Sequence, residues 1–486
     1  MSSTPNVTFD TLIAGGTVAT VDGVAEADVG VSDGRIAAIA ARLAGNATAT
    51  REIDASGLLV LPGGIDVHTH FETNIGEQRT ADDFESGSRA AAAGGITTVV
   101  NFAIQHGGSL ADTVAEEIRK AEAGTHIDVG FHVGVTSCDP ATAAEVGGLV
   151  AAGFPSFKMF TAVGEHALSD VESLALLQAV GDAGGIVMVH AEDGALIEHL
   201  SARLLAAGRG GVEYLNAARP TAAEALAVTK IAEYGRQTGC PVYVVHLSCN
   251  DALNAVRRAR GAGAEVYVET RPAYLFMDSS IYDRPDGAKF VTWPPIRDRA
   301  DQQALWDGIR TGEIQTYATD HTTWTVAEKL APGLTFATIP GGVSNVQTSL
   351  GMLYSEGVGR GRISLPQLVA LVSTNPAKLF GMWPQKGSLS IGADADIVLL
   401  DPRREFEITQ SRMQSASDFD PYEGRSARGW PVLTMSRGEV IVSEGQILSA
   451  PGRGRILRRA PFRAAGSTPE EQALAARTPG QRTSMA

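Results

Sequence analysis

The sequence predicts an α/β fold, a (β/α)8 TIM-like barrel with a small discontinuous β-sandwich domain built from both chain ends. Three observations carry that expectation. Eight short apolar runs, "LLVLPGGIDVHTH", "TTVVNF", "IDVGFHV", "FPSFKMF", "GIVMVHAED", "PVYVVHLS", "AEVYVET" and "IQTYATDH", follow one another, separated by alanine-rich amphipathic stretches of helical length. Segments of β-branched runs broken by Gly and Asp-Gly stand on either side of this rhythm. At 486 residues and 44% hydrophobic, the chain can fill the core of one large domain and one smaller one.

In chain order, "DTLIAGGTVATVDGVAEADVGVSDGRIAAIAARL" reads as hairpins of a small antiparallel sheet, so residues 1–57 are expected to form the first part of the sandwich. Residues 58–384 carry the βα rhythm of the barrel. Near its end, in "STNPAKLFG", Asn375 is expected to cap a helix with Pro376 in its first turn. Hairpin chemistry returns in "KGSLSIGADADIVLLDP" and "PVLTMSRGEVIVSEGQI", and residues 385–450 are expected to complete the sandwich by pairing with the N-terminal part. Residues 451–486, rich in Arg, Gly and Pro and without core periodicity, read as a tail suited to bracing a neighbouring subunit.

The balance of 40 basic against 55 acidic residues leaves a formal charge of -15, which repels phosphate backbones and anionic membranes. A nucleic-acid or membrane partner is therefore not expected, and a small-molecule role is. No apolar run approaches the roughly 18 residues of a membrane span, and the opening "MSSTPNVTFD" has no basic and apolar leader, so a cytoplasmic location is expected. Cys138, Cys240 and Cys249 lack the number and spacing of a disulfide framework or thiolate zinc site and read as reduced packing residues.

Residues two apart in a strand face the same side, so His68 and His70 present both rings toward one point at the end of the first barrel strand. Catalytic groups of such a barrel collect at the C-terminal strand ends. There the fourth run carries Lys158, the fifth His190, the sixth His246 and the eighth Asp320. A single histidine at a strand end is an ordinary packing residue. Four of them with a lysine and an aspartate in this strand order, in a chain of ten histidines, read as a metal site. The remaining histidines, His106, His126, His132, His166, His199 and His321, read as loop, helix or packing positions.

An ammonium has no lone pair and would be repelled by cations. Lys158 fits this set only if its neutral amine reacts with carbon dioxide, giving a carbamate whose two oxygens bridge two cations; the alternative is a strand-end lysine paired with Asp320. Two cations about 3.5–4 Å apart would hold a hydroxide near neutral pH, ready to attack a carbonyl carbon. Asp320 would then orient it, accept its proton and return that proton to the leaving nitrogen.

With these residues in place, the chain resembles the dihydropyrimidinase and hydantoinase family of the amidohydrolase superfamily over nearly its whole length. The resemblance rests on "GGIDVHTHFE", "ADDFESGSRAAAAGGITTVVNFAIQ", "SFKMF", "VHAEDG", "VVHLS", "ATDH", "LYSEGVGRGRISLPQLVALVSTNPAKLFG", "KGSLSIGADADIVLLDP" and "PYEGRSARGWPVLTMSRGEVIV". It implies two zinc ions or other divalent metals, bridged by N6-carboxylysine at Lys158. His68, His70 and Asp320 would hold one, and His190 and His246 the other. It also implies hydrolysis of a cyclic amide, imide or ureide C–N bond and a homotetramer or dimer.

Four positions concern the substrate. Val163 stands where the family usually has a tyrosine that helps hold the oxyanion, and losing one such donor costs on the order of 10²–10³ in rate. Trp293 replaces a common serine and Gly341 a usual asparagine. The indole adds apolar area that favours a flat or bulky ring, unless Trp293 merely packs beside Pro294 and Pro295. Glu72 stands where relatives acting on dihydroorotate carry an arginine, which disfavours an anionic substrate unless Glu72 simply faces solvent. Hydantoins and dihydropyrimidines are the substrate class implied by the resemblance. The altered positions keep open the same chemistry on an allantoin-like ureide or a lactam. A non-catalytic scaffold is a further reading, and retention of all six metal positions argues against it.

Overall fold

The computed structural model describes residues 8–43, 47–75, 78–162 and 164–462. Eight parallel strands form the barrel: Gly64–Thr69, Ile96–Ile104, Asp128–Gly134, Ser156–Phe160, Ile186–His190, Val242–Val244, Val266–Thr270 and Thr316–Tyr317. They are hydrogen-bonded neighbour to neighbour in that order. Between the first and the eighth strand the ring is drawn together by a bridge between Thr69 and His321. The Asp66 carboxylate reinforces it by accepting from the Thr319 amide at 3.1 Å and the Thr319 hydroxyl at 2.5 Å.

The apolar runs are strands because they are β-branched and bounded by turn residues, and the helices between them start where a short polar side chain can satisfy a free amide. Ser109, Asp139, Ser169 and Asp193 each accept from the amide three residues ahead. Inward-facing side chains such as Val67, Phe102, Met188 and Tyr243 fill the barrel, and Ala377, Leu379 and Phe380 pack against them. Among the described residues no helix is long and apolar enough to cross a membrane. All three cysteines are buried and free.

The first apolar run differs from expectation: it serves two sheets. Leu59–Pro62 pairs with Thr8–Thr20 and Ile397–Glu407, and only after Gly63 does the chain enter the barrel. A Cβ on Gly63 would lie 2.1 Å from the Thr97 hydroxyl, so the handover requires glycine.

The second sheet has nine strands drawn from both ends of the chain, joined where Leu59–Pro62 meets Ile397–Leu400. It has its own core, with Ile13, Val29 and Val60 from one end beside Ile397, Leu399 and Met435 from the other. The sheet is mixed rather than purely antiparallel. After the strand Arg35–Ala40 the chain returns to the starting edge, so that Thr48–Asp54, like Leu59–Pro62, runs parallel to Thr8–Thr20.

Asn375 does not cap a helix. Thr374 before it is already helical, and the turn Ala370–Thr374 is a wide one that leads straight into Asn375–Leu379. The wider turn makes room for Pro376, which has no N–H to offer. Ser364 is the cap for the preceding turn, Leu365–Val369, and Nδ2 of the Asn375 side chain instead donates to the Gln315 carbonyl at 2.8 Å. Of the tail, the described part lies along this chain's own barrel, where the Val129 amide donates to the Arg455 carbonyl at 2.9 Å and the Leu457 amide to the Val129 carbonyl at 2.8 Å. Residues 463–486 fall outside the described residues.

Candidate metal centre

Six side chains from five strands line one cavity of about 90 Å³ at the C-terminal end of the barrel: His68, His70, Lys158, His190, His246 and Asp320. His68 and Lys158 lie within strands, His190 ends one, and His70 follows one directly. His246 and Asp320 lie beyond shorter strands than the sequence predicts, which stop at Val244 and Tyr317. Both have a left-handed backbone, φ 39° and 50°. For a residue other than glycine this costs of order 1–3 kcal/mol, and such strain collects at functional sites.

Nε2 of His68 and Nε2 of His70 each lie 3.1 Å from Oδ1 of Asp320, which makes the three atoms a close-set donor group. Beside them Nδ1 of His190 faces Nε2 of His246 at 3.0 Å. Burial pushes the His70 imidazole down to about 4 and holds the His246 and His190 imidazoles below their ordinary value. These rings are neutral at physiological pH, with lone pairs available in the form that binds metals. Lys158 lies over the rings of Phe102 and Phe160, 5.4 and 5.2 Å from their centroids, and burial pushes its amine down to about 8. It is not paired with Asp320, whose other oxygen receives Arg271. Imidazole nitrogens and a carboxylate, beside an amine whose lowered pKa makes its neutral form accessible, are a donor set that fits divalent cations of the zinc kind.

Each side of the site is held by residues that the sequence reading did not single out. Oε1 of Glu269 lies 2.7 Å from Nδ1 of His68 and accepts from the His246 amide at 2.9 Å. Oε2 of Glu192 lies 2.8 Å from Nε2 of His190, and Arg219 grips the same carboxylate from behind. A carboxylate on the far nitrogen fixes the tautomer and orientation of a ligating histidine. Although burial opposes it, Arg219 and His190 hold the Glu192 carboxyl down at about 2. Arg271, fully buried after the seventh strand, likewise holds Asp320 ionised against the cost of burial. His321 stands apart from the donor group. Its Nδ1 accepts from the amides of Asn345 and Val346 at 3.0 and 3.2 Å, so Nε2 carries the proton toward Asp82 at 2.8 Å.

Trp293 and Gly341 also line this cavity, and the Gly341 carbonyl accepts from the Trp324 indole at 2.8 Å. Glu72 is not brought there. It pairs with Arg79 at 2.8 Å and lines a separate cavity of about 440 Å³ with Glu117 and Lys120. Val163 lies outside the described residues.

The model of the amidohydrolase family matches residues 59–441. A D-hydantoinase of Ralstonia pickettii is 40% identical over 460 residues, covering 94% of this chain and 100% of that protein. A D-phenylhydantoinase of Escherichia coli is 38% identical over 455 residues, 93% of this chain and 98% of that one. The crystal structure of a dihydropyrimidinase from Brevibacillus agri superimposes with a TM-score of 0.90 at 36% identity, covering 94% of this chain and 100% of that one.

Proposed function

The chain belongs to the amidohydrolase family, and we propose that it opens the C–N bond of a cyclic amide, imide or ureide of the hydantoin or dihydropyrimidine kind. The observation that carries this reading is the convergence of His68, His70, Lys158, His190, His246 and Asp320 on one cavity. His68, His70 and Asp320 would hold one zinc ion and His190 and His246 another, with a carbamate on Lys158 between them. Bound there, the two cations supply a water acidic enough to act as a nucleophile near neutral pH and a Lewis acid for the ring carbonyl.

The side chains do the rest. The neutral Lys158 amine attacks carbon dioxide and releases one proton as the carbamate forms. Glu269 and Glu192 keep the lone pairs of His68 and His190 aimed into the cavity. Asp320, fixed by Arg271, takes the proton of the attacking water and delivers it to the ring nitrogen as the C–N bond breaks. The same chemistry on an allantoin-like ureide or a lactam is the second reading, favoured by the departures at Val163, Trp293 and Gly341.

Three measurements test the reading together: metal content of protein purified with zinc, the intact mass, and turnover of hydantoin and dihydrouracil. The expected result is two cations per chain, a carbon dioxide adduct on Lys158 and ring opening. Metal-loaded protein that opens no cyclic amide would overturn it.

A further inference from the structure

We propose that Trp293, seated by Gly341 and anchored by Lys329, decides which cyclic amides are accepted, by separating the metal cavity from a larger outer one and selecting rings that carry a flat apolar substituent. The inference rests on the ring-opening reading above. Trp293 and Gly341 line both the 90 Å³ metal cavity and an adjoining cavity of about 1060 Å³. The inner space suits the reacting ring, so whatever that ring carries must pass the indole into the outer space. There Ile197, Phe336 and Ile339 offer apolar surface and Trp324 a second aromatic wall.

Tryptophan at 293 and the absence of a side chain at 341 belong together. A Cβ on residue 341 would come within 3.1 Å of Trp293 Cδ2 and 3.3 Å of its Cγ, closer than ordinary packing allows. The guanidinium of Arg219 lies 5.0 Å from the indole centroid, and Arg219 is itself tied through Glu192 to His190. The loops that carry the two residues are clamped to each other. Lys329, fully buried, donates to the Val291 carbonyl at 2.9 Å and to the Pro340 carbonyl at 2.6 Å, and the Gly342 amide donates to Val291 as well at 2.9 Å. The indole therefore stands as a fixed divider rather than a loose surface side chain.

The test measures kcat/KM of the metal-loaded enzyme for 5-phenylhydantoin and for unsubstituted hydantoin, in the natural protein, Trp293→Ser, Gly341→Ala and the double variant, with Trp293→Phe as a milder change should the serine variant fold poorly. Trp293→Ser is expected to lower the ratio of aryl to unsubstituted turnover by about tenfold or more, a change typical of a lost hydrophobic contact to substrate. Gly341→Ala is expected to lower that ratio in the natural background and to leave it within about twofold once the indole is gone, because neighbours in contact are not additive. Equal losses for both substrates in Trp293→Ser, or the same effect of Gly341→Ala in both backgrounds, would overturn the role of Trp293 while ring opening stood. Failure of the natural enzyme to open either ring would overturn both readings together.

Discussion

Two buried donor groups of similar closeness lie at opposite ends of the barrel, and they do different things. Asp128, Asp394 and Asp396 converge as tightly as His68, His70 and Asp320 do. The first group is filled by the protein itself: Lys386 lies 2.6, 3.0 and 2.7 Å from the three carboxylates, and Arg437 takes the second oxygen of Asp128. It ties the base of the barrel to the second sheet. In the other group Arg271 meets only the outer oxygen of Asp320, Lys158 stands over aromatic rings, and no side-chain cation of the chain sits among His68, His70 and the inner oxygen of Asp320. Donor spacing alone does not distinguish a lock from a metal centre. The difference lies in whether a cation of the chain occupies the centre of the donor group, as Lys386 does, or meets it only from outside, as Arg271 does.

The largest effect that would sharpen this contrast is at the metal end. Lys158→Ala is expected to lower turnover by more than about 10³-fold, as loss of an indispensable active-site group does, and to abolish binding of the paired cations. Unchanged turnover would remove the proposed bridge. At the other end, Lys386→Ala leaves buried carboxylates without compensation, and the expected cost is about 3–5 kcal/mol of stability. Urea unfolding would read that loss, and kcat per folded molecule should not move. If Lys386→Ala instead changed metal content, the two clusters would not be separate.

Smaller effects follow for the residues behind the ligands. Glu269→Gln and Glu192→Gln are expected to weaken metal affinity by about 10–100-fold each, the usual loss when a partner of a ligating histidine is removed. Competition with a chelator measures it, and Asp394→Asn should show no such change. The smallest effect is a pH dependence. In the metal-free protein burial lowers the Lys158 pKa from 10.5 to about 8. Between those values the unfolded chain binds a proton that the folded chain does not, so stability should rise with pH across that window and the penalty should be complete below about 8. Lys158→Met should erase that slope in urea midpoints, whereas Lys386→Met should leave it in place.

The side chains that meet in the cavity at the C-terminal end of the barrel were largely legible along the chain. His68 and His70 announce themselves by a two-residue spacing after an apolar run, and Lys158, His190, His246 and Asp320 by closing later runs of the same kind. Glu192 and Glu269 left a weaker signal, each an acid within or just after a strand that is otherwise apolar, in "VHAED" and "VYVET". Arg271 and Lys329 left none, because a buried basic side chain reads the same as a surface one until its partners are known. Asn375 carried a misleading signal. Its composition matched a cap, but the helix had already begun upstream.

By itself the sequence determined the local matters: eight strand-forming runs, their alternation with helices, and the side chains offered at their ends, since side-chain period and turn chemistry act over a few residues. Tertiary structure alone decided the pairings. Arg271 rather than Lys158 meets Asp320, Lys386 closes the acidic group at the base, Glu72 turns to Arg79 away from the cavity that His68 and His70 line, and Trp293 packs closely over Gly341. The physical reason is range. Coulombic contact, desolvation and steric fit depend on distances between atoms that the chain separates by tens or hundreds of residues, and only folding sets those distances.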